Sequence, residues 1–415
     1  MSTLTECRAC KSENLHLFLP MNDHPPANMF VRPEELDEKQ PAFPLNAQAC
    51  LDCGLIQVAD QIPPGFFSHY LYVPSGAAAM HSHFADLAKV VTDLADGRLI
   101  ADIGCNDGLM LMQANARGAK TLGIDPAENI AEIANERGVD VEICYFTPET
   151  AAKLRDSHGR PGVIATTNTF HHIGDLHSFM KGITEFLAAD GTFIVEVPWA
   201  LQIVKLNQFD NIYHEHVSEH SVMSFVKLAE IFGMQVVDVE KLDIHGGSLR
   251  VFMEFTANGT KPSPVVAEMI GEERAAGLFD KETYVEFARK VEVLRKQLVA
   301  MLDEMKRDGL RIAGYGAPAK GNTLLNYFDI GTERIDFLVD RNPLKHGLYS
   351  PGKKIPIYPT DAIAREKPDV LLVLAWNFFD EIREQQAEFE KAGGRFLVPL
   401  PSPAVFGGHK VLEET

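Results

Sequence analysis

The sequence predicts an α/β protein built around a doubly wound, mostly parallel sheet, and two observations carry this prediction. A short apolar run from Leu99 reaches Asp102, after which Gly104 and Gly108 bracket a turn that leads into a helical pattern. Short apolar runs then alternate with helical patterns as far as residue 197, which is typical of a parallel sheet with helices on both faces. Because a glycine turn between strand and helix lets backbone amides approach a ligand closely, we expect a ligand site there.

An acidic residue marks the next strand of the same pattern. The apolar run Thr121–Ile124 ends in Asp125, about 20 residues beyond the glycine turn, where a carboxylate can hold a ribose diol. The turn lacks the third glycine of the G-x-G-x-x-G pattern, which argues against NAD and for another adenosine-bearing ligand. For the turn taken alone, a plain α/β turn with a capped helix is the alternative.

Length and charge limit the classes of function. A chain of 415 residues predicts two or three domains. The 39 basic and 58 acidic side chains give a net charge of -19, which repels a polyanion, so we expect no nucleic-acid partner. The sequence has neither an apolar run of about 18 residues nor the pattern of a signal peptide. We therefore expect a cytoplasmic protein without a membrane partner. The sequence does not reveal the oligomeric state, and we assume a monomer.

Four of the six cysteines form two matched pairs, Cys7-x-x-Cys10 and Cys50-x-x-Cys53. Each turn presents two thiolates to one side, and four thiolates complete the tetrahedral coordination of Zn²⁺, so we predict a structural zinc ion. Reduced, unmetallated turns and redox chemistry are the alternatives. The insert between the pairs is rich in proline and is expected to be an irregular loop; its prolines include Pro25, Pro26, Pro33, Pro41 and Pro44.

Histidines cluster in two places beyond predicted strands. Asn168, His171 and His172 follow the apolar pattern at 162–167, and ligands of parallel sheets bind at such carboxyl ends. The segment Tyr213-His214-Glu215-His216 combines groups that titrate near neutral pH with a carboxylate, as a general base and its orienting group require. A divalent metal ion bound through the His-x-His spacing, or an exposed polar loop without a role, are the alternatives.

A further polar segment, His245-Gly-Gly-Ser248-Leu-Arg250, offers flexible backbone, a hydroxyl and a cation. These groups suit a polar ligand. A glycine turn that only joins two strands, at 234–242 and 249–255, is the alternative.

The last part of the chain repeats the strand–turn–helix opening. The periodic pattern Phe279–Lys306 predicts a connecting helix. Beyond it, two close glycines precede Lys320, Asn322 and Thr323, and amides at a helix start together with one cation can hold phosphate. The spacing differs from the G-x-x-x-x-G-K-[ST] loop, which argues against nucleotide hydrolysis. Glycines that serve only as turns are the alternative.

Two sets of motifs carry a resemblance to known enzymes. Asp102-x-Gly-x-x-x-Gly108 with Asp125 resembles motif I and the acidic loop of class I S-adenosylmethionine (SAM)-dependent methyltransferases. The order of the cysteine module, Tyr-His-Glu-His, His-Gly-Gly-Ser-Leu-Arg and the C-terminal glycine segment resembles the sugar C-methyltransferases, which act on nucleotide-linked 4-keto-6-deoxy sugars. The match covers nearly the whole chain. It departs from the family at Asp102, where glutamate is usual, and at Cys105, where serine is common.

The resemblance implies a class I methyltransferase doubly wound sheet in a SAM-binding domain (76–285), preceded by a small zinc-binding domain (1–75). A C-terminal Rossmann-like domain (286–415) would help to grip the nucleotide diphosphate. The implied base is His216, with Tyr213 and Glu215 in the same site and a linker tyrosine, for which Tyr72 fits better than Tyr70. The cofactor-binding residues are then Asp102, Gly104, Asn106, Gly108, Asp125 and Asn168. The substrate-binding residues are His171, His172, His245, Ser248, Arg250, Lys320, Asn322 and Thr323.

The reaction that the resemblance implies is C-methylation next to the keto group, with C3 favoured over C5. A base removes the proton, and the enolate attacks the methyl carbon of SAM. Methyl transfer to oxygen or nitrogen of another nucleotide sugar or polar metabolite needs the same kind of base and is the alternative. A non-catalytic adaptor with a zinc module would need neither Asp125 nor the Tyr-His-Glu-His segment.

Overall fold

The chain between the two cysteine pairs forms a β-hairpin. The computed structural model describes residues 3–60, 75 and 78–408, so the predicted site tyrosine Tyr72 lies outside the described residues. The hairpin strands are β1 Leu15–His24 and β2 Phe43–Cys50, and β3 Ile56–Val58 pairs with β2; all pairs are antiparallel. The expectation of an irregular loop was wrong for these strands. It holds only for the connection between them, where Pro25, Pro26, Pro33 and Pro41 lie.

The central part alternates strands and helices, as the sequence predicts. Its first elements are α1 Ala78–Ala95, β4 Leu99–Ile103, α2 Leu109–Asn115, β5 Lys120–Ile124, α3 Glu128–Glu136, β6 Val141–Glu142, α4 Pro148–His158, β7 Val163–Thr167, α5 Leu176–Phe186, β8 Thr192–Pro198 and α6 Ala200–Lys205. They are followed by β9 Ser218–Glu219, α7 Val222–Ile231, β10 Met234–Leu242, β11 Ser248–Phe255 and α8 Pro264–Ala275.

Seven of these strands form one sheet in the order β10-β11-β8-β7-β4-β5-β6. Strands β4 to β8 run parallel, and β11 runs antiparallel to both of its neighbours. The chain leaves β4 towards β5 and β6 and then returns to β7 on the other side of β4. Ligands of doubly wound sheets bind at such a switch point, beyond the carboxyl ends of the strands. The loops after β4 and β7 are therefore placed to border a ligand site.

The C-terminal part forms a second, smaller doubly wound sheet. Its elements are α9 Lys281–Arg307, β12 Ile312–Tyr315, α10 Ala319–Tyr327, β13 Phe337–Val339, β14 Ile357–Tyr358, α11 Ala362–Glu366, β15 Val370–Val373, α12 Phe379–Gln385, α13 Ala387–Lys391, β16 Arg395–Val398 and β17 Ala404–Gly407. The order is β14-β13-β12-β15-β16-β17, parallel except for the β16–β17 pair. The switch point lies between β12 and β15, beside the loop that leads to Lys320.

The three parts are joined by strand pairing and by aromatic packing. Strand β9 pairs with β3, so residues of the central part complete the sheet of the N-terminal module. The ring of Phe18 on β1 packs against Tyr284 and Phe287 on α9, at centroid distances of 5.0 and 5.8 Å. The domain limits given above remain predictions, and the one at 285/286 falls within α9.

No described helix combines the length and the apolar character needed to cross a membrane.

Candidate active site

The four predicted zinc ligands converge in the N-terminal module. Cys7 Sγ lies 3.6 Å from Cys53 Sγ, and Cys10 Sγ lies 3.6 Å from Cys50 Sγ. All four sulfur atoms lie within 4.8 Å of one another, and none is in a disulfide. Since Zn–S bonds of about 2.3 Å in a tetrahedron separate the sulfur atoms by roughly 3.8 Å, the donor set and its spacing fit zinc.

The two cysteine turns have the same backbone design. Lys11 N donates to Cys7 O (3.1 Å), and Gly54 N donates to Cys50 O (2.8 Å). Both Lys11 and Gly54 have left-handed φ angles, +64° and +72°. Each turn therefore closes directly after its second cysteine, which keeps both of its sulfur atoms on one side.

The glycine turn after β4 lies against the loop after β7. Gly104 has a φ of +76°, and the Thr169 side chain fills the space that a Cβ at Gly104 would need. Asn168 precedes Thr169 and also has a positive φ, +50°. Gly108 has a φ of +73°, and a Cβ there would lie 2.9 Å from Val139 Cγ2. The predicted cofactor residues of β4 and β7 thus share one edge of the sheet.

Two backbone amides position the Asp125 carboxylate at the end of β5. Asn106 N donates to Asp125 Oδ2 (3.0 Å), and Ala127 N donates to Asp125 Oδ1 (2.9 Å). Burial raises the pKa of Asp125, and the two amide hydrogen bonds oppose this rise. A carboxylate oxygen accepts more than one hydrogen bond, so both oxygens retain capacity for the two hydroxyls of a ribose.

Asp102 is buried at the carboxyl end of β4, and its Oδ1 has no hydrogen-bond partner among the described residues. Burial, helped by the charges of Asp125 and Glu196, raises the pKa of Asp102 to about 8. A buried carboxyl group in this state requires a proton or a cationic partner. The ammonium group in the methionine part of SAM is such a partner. Asp102, the Gly104 turn and Asp125 therefore fit SAM.

Histidines from two loops meet next to this edge. His171 and His172 lie in the short 3-10 helix Phe170–His172 that follows β7. The ring centroid of His216 lies 4.0 Å from that of His171 and 4.9 Å from that of His172. The Tyr213 ring packs 4.0 Å from His216. We call these four side chains the histidine cluster. The structure therefore brings together four residues that the sequence places in one site.

Burial keeps the rings of the histidine cluster neutral. It lowers the pKa of His171 and His216 well below 6.5, and it lowers the pKa of His172 to about 4. The positive charge of Lys320 adds to the effect on His171 and His216. A neutral imidazole can accept a proton, so the form that a general base requires is present at pH 7.

His214 and His216, the His-x-His pair, do not come together as ligands of one metal ion. His214, the other half of the His-x-His pair, hydrogen-bonds through Nε2 to Pro44 O (3.1 Å). The ring nitrogens of His171, His172 and His216 do lie within 4.8 Å of one another, close enough for a common metal ion. However, the nearby ammonium of Lys320 repels a second cation.

The carboxylate beside His216 belongs to Glu219 and not to the adjacent Glu215. His216 Nδ1 lies 3.2 Å from Glu219 Oε1. The Glu215 carboxylate instead accepts from Asn28 Nδ2, with distances of 2.8 and 2.7 Å to its two oxygens. Burial raises the pKa of Glu219 well above its usual range and that of Glu215 to about 7. His172 Nδ1 lies 2.8 Å from Glu215 O, so Glu215 borders the cluster through its backbone.

Arg250, predicted to bind substrate, is paired with two carboxylates. Its Nε donates to Glu196 Oε1 (2.6 Å), and its Nη1 donates to Glu240 Oε2 (2.7 Å). His83 Nε2 lies 2.6 Å from the other oxygen of Glu196. The guanidinium is thus already neutralised, and its role in substrate binding remains a prediction.

The rest of this segment forms the turn between β10 and β11. His245, Gly246 and Gly247 have positive φ angles of +53°, +87° and +107°, so a structural turn is present. Ser248 Oγ donates to Ile244 O (3.1 Å). Burial lowers the pKa of His245 to about 3, with a further contribution from Lys320. A substrate contact from His245 or Ser248 remains a prediction.

The ammonium group of Lys320 lies inside the protein, within electrostatic range of His171 and His216. Its Nζ is shielded from solvent, has no hydrogen-bond partner among the described residues, and lies 5.4 Å from the ring centroid of Trp376. Trp376 Nε1 donates to Asp210 Oδ2 (2.7 Å). Asn322 and Thr323 face other partners, because Asn322 Nδ2 donates to Ala27 O and Thr323 Oγ1 donates to Ala319 O. Their substrate contacts remain predictions.

Sequence reasoning missed four residues around the cluster: Asn28, Asp210, Glu219 and Trp376. Asp210 and Glu219 flank the Tyr-His-Glu-His segment, so the acidic residues just outside that motif were the signal for them. Trp376 lies three residues beyond the end of β15 and could have been found as a strand-end residue. Asn28 could not, because 187 positions separate it from Glu215.

Three family models match the chain in sequence order. They describe a zinc binding domain (residues 7–67), a methyltransferase domain (79–239) and a C-methyltransferase C-terminal domain (243–401). The chain is 37% identical over 413 residues to the C-methyltransferase NovU of Streptomyces niveus, covering 99% of this chain and 98% of that protein. The chain belongs to the C-methyltransferase family. This C-methyltransferase is SAM-dependent, and its N-terminal domain binds zinc.

Other similar proteins match smaller parts of the C-methyltransferase. It is 26% identical over 213 residues to the sterol 4-C-methyltransferase strm-1 of Caenorhabditis elegans, covering 48% of this chain and 60% of that protein. A solved structure of magnesium protoporphyrin IX methyltransferase (ChlM) from Synechocystis PCC 6803 with bound SAH aligns with 46% of this chain and 90% of that chain. The sequence identity is 14% and the TM-score is 0.35.

Replacing Asp125 by alanine should weaken SAM binding without unfolding the C-methyltransferase. The variant loses the carboxylate proposed to meet the ribose diol, and hydrogen bonds to a charged group contribute roughly 1.5–3 kcal/mol. Isothermal titration calorimetry should therefore show a dissociation constant for SAM that is roughly 10- to 100-fold higher. Glu136→Ala, at the exposed far end of α3, is the matched control. Unchanged affinity in Asp125→Ala would move the ribose contact elsewhere.

The cysteine module should hold one zinc ion per chain. Elemental analysis of Cys50→Ser should show loss of zinc, and its thermal unfolding midpoint should fall, because binding of a structural metal contributes directly to folding. Cys144→Ser, which changes a cysteine outside the four-sulfur group, should retain both the zinc and the midpoint. A Cys50→Ser variant as stable as the unmodified protein would contradict a structural role for the ion.

Proposed function

We propose that this C-methyltransferase methylates the carbon next to the keto group of a nucleotide-linked 4-keto-6-deoxy sugar, with C3 as the methylated carbon. The observation that supports this best is the buried cluster of neutral histidines beside the residues that fit SAM. A C–H group next to a ketone is a far weaker acid than imidazolium. Removal of the proton from this C–H group needs both a base and stabilisation of the enolate that forms.

In this proposal His216 is the base. Its ring is buried and neutral, and Glu219 beside Nδ1 holds the ring orientation. A backbone contact with Asn211 opposes the fall of the His216 pKa. His171 has no hydrogen-bond partner at either ring nitrogen among the described residues, and we assign it to a polar group of the sugar.

Neutral donors around His216 would meet the substrate oxygen. Tyr213 packs against His216, and Asn168 lies at the end of β7 near the cofactor residues. Tyr72 is a third predicted donor and lies outside the described residues. When bound, SAM supplies an electrophilic methyl group, and Asp102, Gly104, Asn106, Gly108, Asp125 and Asn168 would hold it.

The C-terminal domain would bind the nucleotide part of the substrate. It contacts the segment that carries the proposed base, because Trp376 Nε1 donates to Asp210, three residues before Tyr213. Its glycine segment before α10 lies at the switch point of its sheet, where such sheets bind ligands. We further propose that the protein acts in the cytoplasm as a monomer.

Replacing His216 by asparagine should abolish removal of the sugar proton while SAM binding persists. General base catalysis contributes about 10²–10⁴ in rate, so kcat should fall by that factor. The direct measurement follows deuterium uptake at the carbon next to the keto group of a 4-keto sugar nucleotide, in D₂O without SAM. His158→Asn, an exposed histidine on α4, is the control and should exchange like the unmodified protein.

Two outcomes would overturn parts of the proposal. Undiminished exchange in His216→Asn would clear His216 as the base, and loss of exchange in His171→Asn would then assign that role to His171. A protein that shows no exchange but methylates an oxygen or a nitrogen would overturn carbon methylation of this substrate as a whole.

A further inference from the structure

The ammonium group of Lys320 is more deeply buried than the binding of phosphate at a helix start requires. Lys320 is the second residue of α10, yet its ammonium group is shielded from solvent. Among the described residues it makes no hydrogen bond, and its nearest aromatic contact is the Trp376 ring, 5.4 Å from Nζ to the centroid. A buried ammonium without an acceptor is costly, so its surroundings point to a ligand that supplies one.

Two acidic residues that act electrostatically on Lys320, Asp210 and Glu219, flank the Tyr-His-Glu-His segment. Asp210 and Glu219 raise the pKa of Lys320, against the lowering effect of burial. In return, Lys320 lowers the pKa of His171 and His216, so the ammonium lies within electrostatic range of both rings. Asp210 Oδ1 and Glu219 Oε2 also have no partner among the described residues. Glu219 is also the carboxyl group beside Nδ1 of His216, the proposed base, so the surroundings of Lys320 and of the base share a residue.

This setting disfavours a diphosphate as the partner of Lys320. A diphosphate is fully charged before and after the reaction and is bonded to C1 of the sugar, away from the keto group, whereas Lys320 lies within electrostatic range of His216. A ketone oxygen is neutral on binding and becomes negative only as the proton leaves the carbon. A cation placed next to this oxygen therefore stabilises the transition state more than the ground state.

We infer that Lys320 is a catalytic residue that donates a hydrogen bond to the keto oxygen of the substrate and stabilises the enolate. This inference rests on the proposed C-methylation. Arg250 does not supply this charge, because Glu196 and Glu240 already neutralise its guanidinium. The role of Asp210 and Glu219 is to keep the buried amine protonated.

The electron flow balances with groups already named. The C–H bond breaks and its proton passes to His216, while its electron pair forms the C=C bond of the enolate. The π electrons of the carbonyl move to the oxygen, where the Lys320 ammonium donates a hydrogen bond and keeps its proton. The C=O bond then re-forms as the carbon takes the methyl group from the sulfonium, which leaves as a neutral thioether.

The test compares Lys320→Met, Lys320→Arg and the exposed control Lys391→Met. For Lys320→Met we expect kcat and the rate of deuterium uptake to fall by about 10²–10³. Its affinities for SAM and for a free nucleoside diphosphate, measured by calorimetry, should stay within about twofold of those of the unmodified protein. Lys320→Arg should recover part of the exchange because it retains a cationic donor, and Lys391→Met should behave like the unmodified protein.

Each contrary outcome has its own meaning. A large loss of nucleoside diphosphate affinity in Lys320→Met with kcat preserved would assign the lysine to the diphosphate and overturn the inference. Undiminished exchange in Lys320→Met would overturn it as well. An unmodified protein that shows no exchange and methylates an oxygen or a nitrogen would instead overturn the proposed function, and this inference with it.

Discussion

The pairing of β9 with β3 joins the segment that carries the proposed base (residues 209–219) to the zinc module, and the arrangement of the site depends on it. Glu219 lies in β9 opposite Ile56, two residues before Ser221, whose hydroxyl donates to the carbonyl oxygen of the zinc ligand Cys53. Arg8, within the first cysteine turn, donates to Val217 O (3.0 Å). The zinc ion therefore fixes the strand that carries Glu219, although it lies outside the reaction itself. This gives a physical reason for a zinc module at the start of a methyltransferase.

The same segment is held from its other side as well. Trp376 of the C-terminal domain donates to Asp210, and Asn28 of the N-terminal module donates to Glu215. Burial between three domains removes the histidines from water, which lowers their pKa values, and it raises the pKa values of Asp210, Glu215 and Glu219. A site of this kind holds uncharged bases and a few unpaired polar groups. The uncharged imidazole is the form in which a histidine can accept a proton, and the unpaired polar groups are free to meet a bound substrate.

The sequence was informative wherever the chemistry depends on residues close together in the chain. The glycine turn with Asp102, the strand end at Asp125 and the two cysteine pairs were all readable because each is a local pattern on a predictable element. The partner of His216 was not, because the direction of side chains in the irregular segment 213–217 is set by contacts with other domains. The pairing of Arg250 with Glu196 depends on strand register across the sheet, which no local pattern encodes. The hairpin inside the cysteine insert was obscured by prolines that lie mainly in its connection.

The central claim is that the methyl group is transferred to carbon. The most direct measurement supplies SAM labelled with ¹³C in its methyl group, together with a 4-keto-6-deoxy sugar nucleotide, and records the product by two-dimensional carbon–proton NMR. Methylation of the carbon next to the keto group predicts that the protons of the labelled methyl group correlate with the keto carbon and with ring carbons. A labelled methyl group with the chemical shift of a methoxy or N-methyl group would contradict it.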